Sequence, residues 1–255
     1  MITHYNSDKS KQAFYDPHCR AWTMLELDGK GNQKGDAIYH VSRRITFAWL
    51  ATEVVKMTVI KSVYETNGEI LDAIEALHCQ SGFDCDLTYG HGAFWRDREK
   101  PRLRFDITPM VDGVEKACST MLPIADGSLA NCVFDPPFLT YVKNARDHNA
   151  KVAMSSRYGG YYTYQELEDH YRHTISEAYR VLNHRGKLIF KCQDIIHNHK
   201  LHASHIRVVQ MAEIEGFRLA DTFVLVAKNR MPSPQKGQQR HARIFHSYFL
   251  VLEKT

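Results

Sequence analysis

The sequence predicts an α/β fold whose central sheet is mostly parallel and carries one antiparallel strand near the end of the chain. Two observations lead to this prediction. From residue 83 onward, short apolar runs typical of buried strands alternate with stretches in which apolar residues recur at helical spacing. Such alternation gives parallel strands with helices on both faces of the sheet. The last two predicted strands, 217–226 and 244–252, are joined without a helix, so we expect them to pair antiparallel.

The elements of this domain are predicted as follows. Strands are expected at residues 83–87, 103–107, 131–134 and 187–192. The clearest helix should begin after Thr163, because Thr163 and Glu166 have the spacing of a capping box. Gly186 suits the left-handed position that ends such a helix, and another helix is expected at 203–215.

The residues before the first of these strands are expected to form an extension. Apolar residues between about 41 and 65 recur at helical spacing, and a second helical pattern follows them. The prediction is therefore a mostly helical N-terminal extension at residues 1–80 and an α/β domain at residues 81–255.

Composition restricts the class of protein. No apolar run approaches the length needed to cross a membrane, and the first residues do not resemble a signal peptide, so we expect a cytoplasmic protein without a membrane partner. The six cysteines contain no Cys-x-x-Cys pair, which argues against zinc ligation and disulfides. Four histidines fall within residues 197–205, where a solvated loop is favoured over a metal site, so no metal is predicted. A net charge of +4 permits a polyanionic partner.

The most informative residues are Asp135, Pro136, Pro137 and Phe138, which follow the predicted strand 131–134. Proline fixes its own φ and has no N–H, so the carbonyl groups here keep one direction. A carboxylate, rigid carbonyls and a flat ring suit a planar base that carries an exocyclic amine, since the amine donates two N–H bonds. On these four residues alone, a proline-rich turn after a strand is an equally simple interpretation.

A second feature is the glycine-containing segment 86–92 at the end of the strand expected at 83–87. Gly90 and Gly92 let the backbone turn sharply and approach a ligand closely. The pattern is Gly-x-Gly without a third glycine, so a structural turn explains it about as well as a cofactor loop.

Two further acidic residues are candidates for binding a nucleoside. Asp106 ends the strand expected at 103–107, where an acid can accept both hydroxyls of a ribose, although it also suits a helix N-cap. Asp126 is a candidate for an adenine amino group, although turn chemistry explains Asp126-Gly-Ser equally well. A glycine turn, an acid suited to a ribose and the Asp135 segment follow one another along the chain. Their joint occurrence by chance is less probable than that of any one of them.

These residues carry a resemblance to a known family. Asp86-Leu-Thr-Tyr-Gly-His-Gly-Ala93 resembles the first motif of S-adenosylmethionine-dependent methyltransferases. Asp135-Pro-Pro-Phe138 resembles the fourth motif of the amino-methylating group, which acts on adenine N6 or cytosine N4. Residues 180–191 are similar to the stretch before that fold's fifth strand. The resemblance covers residues 83–252 and implies a Rossmann-like class I methyltransferase sheet with S-adenosylmethionine as cofactor.

The resemblance also implies roles for single residues. Asp135 and the carbonyl of Pro136 would accept the hydrogens of the target amine, Pro137 would keep this segment rigid, and Phe138 would stack on the base. The residues expected to bind the cofactor are Asp86, Thr88, Gly90, Gly92, Asp106 and Asp126.

The expected partner is a nucleic acid. Residues expected to hold phosphates lie in the two sizeable loops, 139–162 and 227–243, although a plain solvated surface explains them about as well: Lys143, Arg146, Arg157, Lys236, Arg240 and Arg243. Several tyrosines near residue 160 offer stacking surface. A DNA adenine-N6 methyltransferase is the favoured interpretation, ahead of cytosine N4. The alternatives are a methyltransferase acting on a base amine of tRNA or rRNA, and a non-catalytic cofactor-binding subunit.

Overall fold

The fold consists of two compact units, residues Met1–Val59 and Ile60–Thr255, in a computed structural model. The model describes residues 2–5, 9, 11–16, 21–28, 30–35, 38–41, 59–96, 98–138, 140, 160–227 and 238–255.

The first unit contains a small antiparallel sheet. Its strands are β1 (Ile2–Tyr5), β2 (Lys11–Asp16), β3 (Ala21–Glu26) and β4 (Ile38–Val41), paired in that order. The prediction of a mostly helical extension is therefore wrong for these residues. They pair with their neighbours in sequence, as segments rich in aromatic and β-branched residues favour, across short connections. The helix expected between about 41 and 65 falls mostly outside the described residues.

The second unit is built around one large sheet. Its strands are β5 (Val63–Tyr64), β6 (Cys85–Asp86), β7 (Leu103–Asp106), β8 (Glu115–Lys116), β9 (Leu129–Phe134), β10 (Leu182–Cys192), β13 (Phe217–Val226) and β14 (His246–Lys254). A separate hairpin comprises β11 (Ile195–His197) and β12 (Lys200–His202). The helices are α1 (Asn67–Leu77), α2 (Tyr164–Val181) and α3 (Ser204–Glu215), with a 3₁₀ turn at Ala93–Trp95.

The strand order is β5-β13-β14-β10-β9-β6-β7-β8. The five strands from β10 to β8 are parallel to their neighbours, whereas β14 is antiparallel to both β10 and β13. The predicted α/β fold with a mostly parallel sheet and an antiparallel late strand is confirmed. The predicted boundary at residue 80 differs from the structure, because β5 pairs with β13 and thereby joins residues 60–80 to the second unit.

Alternate side chains of the central strands pack into two apolar cores, one on each face of the sheet. In β9, Cys132 and Phe134 enter the core that contains α2, while Val133 enters the core that contains α1. All three are fully buried. A strand buried on both faces reads as a continuous apolar run rather than an alternating one, which explains why this strand is visible in the sequence.

The two ends of α2 test the sequence interpretation separately. The capping box is confirmed, since Thr163 and Glu166 each accept the other's backbone N–H. The assignment of a left-handed conformation to Gly186 is wrong: the residue with positive φ is Arg185, at 64°. At Gly186 a Cβ atom would lie 2.9 Å from the Asn183 carbonyl oxygen and 3.0 Å from that of Ala130. This glycine therefore permits close backbone approach to β9.

None of the helices in the described ranges has the combination of length and apolar composition that crossing a membrane requires.

Candidate active site

The candidate site lies where the order of the parallel strands reverses. From β6 the chain proceeds to β7 and β8 on one side, whereas β9 and β10 lie on the other side. Ligands bind in the crevice beyond the carboxyl ends of the strands at such a point. Asp86 is the last residue of β6, Asp106 is the last of β7, and Asp135 follows β9 directly. The structure therefore brings three predicted site residues to one edge of the sheet.

The glycine-containing segment 86–92 forms a tight loop above this edge. Gly90 and Gly92 both have positive φ, 53° and 70°. A Cβ atom at Gly92 would lie 2.8 Å from the ring of Tyr89, so no larger residue fits there without a shift. At Gly90 a Cβ atom would meet no protein atom within 4 Å, which leaves that backbone open to a ligand.

Asp106 connects this loop to β7. Its two carboxylate oxygens accept backbone N–H bonds, one from Gly90 at 2.8 Å and one from Thr108 at 2.7 Å. A carboxylate offers about four lone-pair positions, so Asp106 can also accept ribose hydroxyls. The following side chain, Ile107, is 64% exposed and places an apolar surface beside this acid. The open glycine backbone, the carboxylate and the apolar side chain fit a nucleoside-containing cofactor.

Asp86 and Thr88 have a different environment from Asp106. Asp86 is 2% exposed, and its oxygens accept the backbone N–H of Thr88 at 2.8 Å and the indole N–H of Trp95 at 2.6 Å. Thr88 in turn accepts the backbone N–H of Asp135 through its hydroxyl oxygen at 2.9 Å. These polar contacts are made within the protein, so the two residues shape the loop and connect it to the segment after β9.

Burial makes Asp86 sensitive to pH. Loss of solvation raises the pKa of Asp86 from 3.8 to about 7, and the nearby carboxylates of Asp135 and Asp106 raise it further, against the two hydrogen bonds that lower it. Because the folded state then binds more protons than the unfolded chain between about pH 4 and about pH 7, stability contributed by this group falls as pH rises through that window.

We therefore expect Asp86→Asn to remove this dependence. As pH rises from about 4 to about 7, the free energy of unfolding of the wild-type protein should fall relative to that of Asp86→Asn by up to about 1.4 kcal/mol per pH unit, and the difference should be constant outside this window. Urea unfolding at several pH values measures this, with Asp112→Asn at an exposed position as the control. A pH-independent difference between wild type and Asp86→Asn would contradict the prediction.

Asp135 is held by a buried cation. Its Oδ2 atom accepts a hydrogen bond from the Lys191 ammonium at 3.2 Å, and the Lys191 side chain is 10% exposed. Pro136 is buried, while Pro137 and Phe138 are half-buried. Lys191 is not among the residues predicted from the sequence, although a lysine between Phe190 and Cys192 in an apolar strand is a usable signal, since buried lysines are almost always paired.

Asp126 is not part of this site. It precedes β9 and therefore lies at the amino end of the strand, roughly 20 Å from Asp135 at about 3.3 Å per residue of strand. Its side chain is 80% exposed and forms an ion pair with Arg180 at 2.5 Å. The prediction that Asp126 contacts an adenine amino group is thus corrected, and the turn chemistry of Asp-Gly-Ser accounts for it, with Gly127 at a φ of 62°.

Basic residues lie at the same edge as Asp135. The loop between β13 and β14 starts at this edge because β13 runs parallel to β10, and Arg240 and Arg243 in it are exposed. Lys200 is exposed in the hairpin that follows β10, and His241 bonds the His199 carbonyl oxygen at 2.9 Å, which ties the hairpin to the loop. The other predicted phosphate contacts fall outside the described residues: Lys143, Arg146, Arg157 and Lys236.

The described tyrosines near residue 160, which were expected to provide stacking surface, differ in their contacts and exposure. The Tyr161 hydroxyl bonds the half-buried His170, which also contacts Ser119, and loss of solvation lowers the pKa of His170 to about 4. Tyr164 is buried with its ring 3.8 Å from that of His202. Tyr162 is 45% exposed, so its ring has accessible surface.

The histidines at 197–205 do not converge with other ligands. Across the parts of the chain that the structure describes, no group of three histidine, cysteine or acidic side chains has the arrangement needed to hold a metal ion. His205 instead bonds Asp194 at 2.7 Å and stacks on Tyr248 at 4.1 Å.

Comparison with solved structures gives several distant similarities. A candidate DNA modification methylase of Thermus thermophilus, in complex with S-adenosyl-L-methionine, is 16% identical over 52% of this chain, with a TM-score of 0.36. The match spans 50% of the Thermus protein. A methyltransferase candidate of Bacillus halodurans is 14% identical over 68% of this chain and 90% of its own, with a TM-score of 0.37.

An S-adenosylmethionine-dependent methyltransferase of Thermotoga maritima is 13% identical over 72% of this chain and 86% of its own, with a TM-score of 0.41. Similarities at this level do not define an activity. No curated protein matches the sequence.

Comparison with family models is more specific. Residues 130–255 match the model of the N6/N4 methyltransferase family, described as DNA methylase. The matched region begins in β9, includes Asp135 and continues through β14. Residues 130–255, just under half of the 255-residue chain, are therefore similar to the N6/N4 DNA methylase family.

Proposed function

We propose that the protein transfers a methyl group from S-adenosylmethionine to the exocyclic amine of a nucleobase in DNA, with adenine N6 favoured over cytosine N4. The observation that carries the proposal is the position of Asp135-Pro-Pro-Phe138 at the carboxyl end of β9, at the strand-order reversal and beside the glycine loop. The match of residues 130–255 to the DNA methylase family supports it. A purine also offers Phe138 more stacking area than a pyrimidine does.

The cofactor would lie against the loop and the end of β7. The backbone at Gly90 and Gly92 would approach it closely, and Asp106 would accept its ribose hydroxyls. Asp86 and Thr88 would act by holding the loop in place. When bound, S-adenosylmethionine supplies an electrophilic methyl group on a positively charged sulfur.

The residues after β9 would hold the acceptor. Asp135 and the carbonyl of Pro136 would accept the two hydrogens of the amine and thereby direct its lone pair towards the methyl group. The same acceptors would stabilise the positive charge that develops on nitrogen. Asp135 needs little basicity to take up a proton afterwards, because an amine that carries a fourth substituent and a positive charge is acidic.

A base in duplex DNA reaches this segment only after it leaves the stack, which costs a few kcal/mol. Phe138 would replace part of the lost stacking. The exposed cations at the same edge, Lys200, Arg240 and Arg243, would contact the phosphates and offset part of this cost.

Methyl transfer to defined acceptors tests the proposal. Tritiated S-adenosylmethionine would be incubated with the protein and unmethylated duplex DNA, and in parallel with total tRNA and rRNA, followed by analysis of the nucleosides. We expect label in DNA as N6-methyladenine. Label as N4-methylcytosine would change the acceptor, label in RNA alone would change the substrate class, and bound cofactor without transfer to either would indicate a non-catalytic subunit.

A further inference from the structure

We propose that Lys191 is a positioning residue that fixes the carboxylate of Asp135 for amine recognition; this inference rests on the proposed function of the site. Lys191 lies near the carboxyl end of β10, the strand next to β9. No role for it follows from the motifs of the sequence.

The surroundings of Lys191 are apolar. Its side chain lies on the face of the sheet opposite to Phe190 and Cys192, beside the buried Phe249 of the paired strand β14, and Lys191 itself is 8% exposed. An ammonium group in such a place is costly unless it is paired. It contacts the Oδ2 atom of Asp135 at 3.2 Å and the faces of two aromatic rings, Phe94 at 4.9 Å and Phe249 at 5.5 Å.

These contacts fix the position of the ammonium group. Phe94 and Phe249 are stacked on each other, with ring centres 5.8 Å apart and an angle of 22° between the planes. Phe249 belongs to β14, in the interior of the sheet, and Phe94 belongs to the 3₁₀ turn that follows the glycine loop. Lys191 is thus held by cation–π contacts from two rigid elements while it donates to Asp135.

Asp135 is consequently tethered at two points. Its backbone N–H is bound by the hydroxyl of Thr88, within the glycine loop, and its side chain is bound by Lys191, which packs on Phe94 after that loop. Both tethers connect the group that would receive the base to the segment that would hold the cofactor. A displacement of about 1 Å between two such groups is enough to lower a rate about 100-fold.

The charge of Lys191 has a second effect. Asp86, Asp106 and Asp135 are close enough that the latter two raise the pKa of Asp86. A cation at Oδ2 offsets this repulsion at Asp135 and leaves Oδ1 available to accept an N–H bond from the amine. Loss of the cation should therefore impair the reaction step more than the binding of either substrate.

Two substitutions at Lys191 test the proposal. Lys191→Met keeps an unbranched side chain that is one atom shorter and removes the charge, and it should lower kcat on the order of 10- to 100-fold. The KM for the nucleic acid and the Kd for S-adenosylhomocysteine should stay within about threefold of the wild-type values. Lys191→Arg should restore most of the lost kcat. Lys187→Met is the matched control, since Lys187 is also a paired lysine of β10 but lies in the middle of that strand, where it pairs with Glu253.

A double-mutant cycle separates positioning from a general structural effect. In an Asp135→Asn background, Lys191→Met should cause little further loss of kcat. The bond between residues 191 and 135 is already weakened there, because asparagine has no negative charge to pair with the lysine. An unchanged kcat in Lys191→Met, or the same fold loss in both backgrounds, would overturn the proposal. The cycle is measured on the acceptor that the wild-type protein methylates. Wild-type transfer to RNA alone would therefore overturn the DNA assignment without affecting the result for Lys191.

Discussion

Replacing Asp135 by alanine is expected to lower kcat for methyl transfer by roughly 10²- to 10³-fold, the usual effect of removing one preorganised group that stabilises charge in a transition state. The carboxylate is the group that would both orient the amine and stabilise its developing positive charge. Binding of S-adenosylhomocysteine should change little, because Asp135 is assigned to the acceptor. Single-turnover transfer of tritiated methyl groups, together with calorimetric titration of S-adenosylhomocysteine, measures both quantities.

The chain contains a matched control for this substitution. Asp126→Ala also removes a carboxylate next to β9, but at the opposite end of the strand, where the side chain is 80% exposed. It should leave both transfer and cofactor affinity at wild-type values. Near-normal turnover in Asp135→Ala would refute the role of this carboxylate, and a loss of cofactor affinity in Asp126→Ala would reinstate its predicted contact with adenine.

Replacing Asp106 by alanine should have the largest effect on cofactor binding. The substitution removes the acceptor for the Gly90 N–H and the proposed acceptor for the ribose hydroxyls. Hydrogen bonds to a charged group contribute about 1.5–3 kcal/mol each, so the loss of two corresponds to a Kd raised by roughly 100-fold or more. Titration of S-adenosylhomocysteine into the variant measures this.

Asp112→Ala serves as the control, since Asp112 is exposed in the segment between β7 and β8. An affinity of Asp106→Ala within about threefold of the wild-type value, in a variant that melts cooperatively, would show that the ribose lies elsewhere.

The sequence was a good guide where a single local pattern determines the structure. The residues just before Asp135 are buried on both faces of the sheet, so Cys132, Val133 and Phe134 form an unbroken apolar run that reads as a strand. Thr163 and Glu166 satisfy each other's backbone within one turn of helix, and no distant residue is needed to predict that bond. The position of Asp106 at the end of a strand was also predicted correctly, while its role in cofactor binding stays a prediction.

The errors arose where the outcome depends on distant neighbours. Asp126 was a candidate because it is an acidic residue before the strand that leads to Asp135, but strand direction places the two at opposite edges of the sheet. Gly186 was read as a helix end, whereas it is small because the backbone of β9 passes close to it. The strands of residues 2–41 gain their stability from pairing with one another, which helical spacing alone does not reveal.

The placement of β14 has a consequence for synthesis of the protein. This strand, His246–Lys254, lies between β10 and β13 and completes the middle of the sheet. It is synthesised after both of these strands. Until then β10 and β13 each expose an unpaired strand edge, and such edges favour association with other chains. We expect chains cut short before residue 246 to aggregate rather than to form a smaller version of the domain.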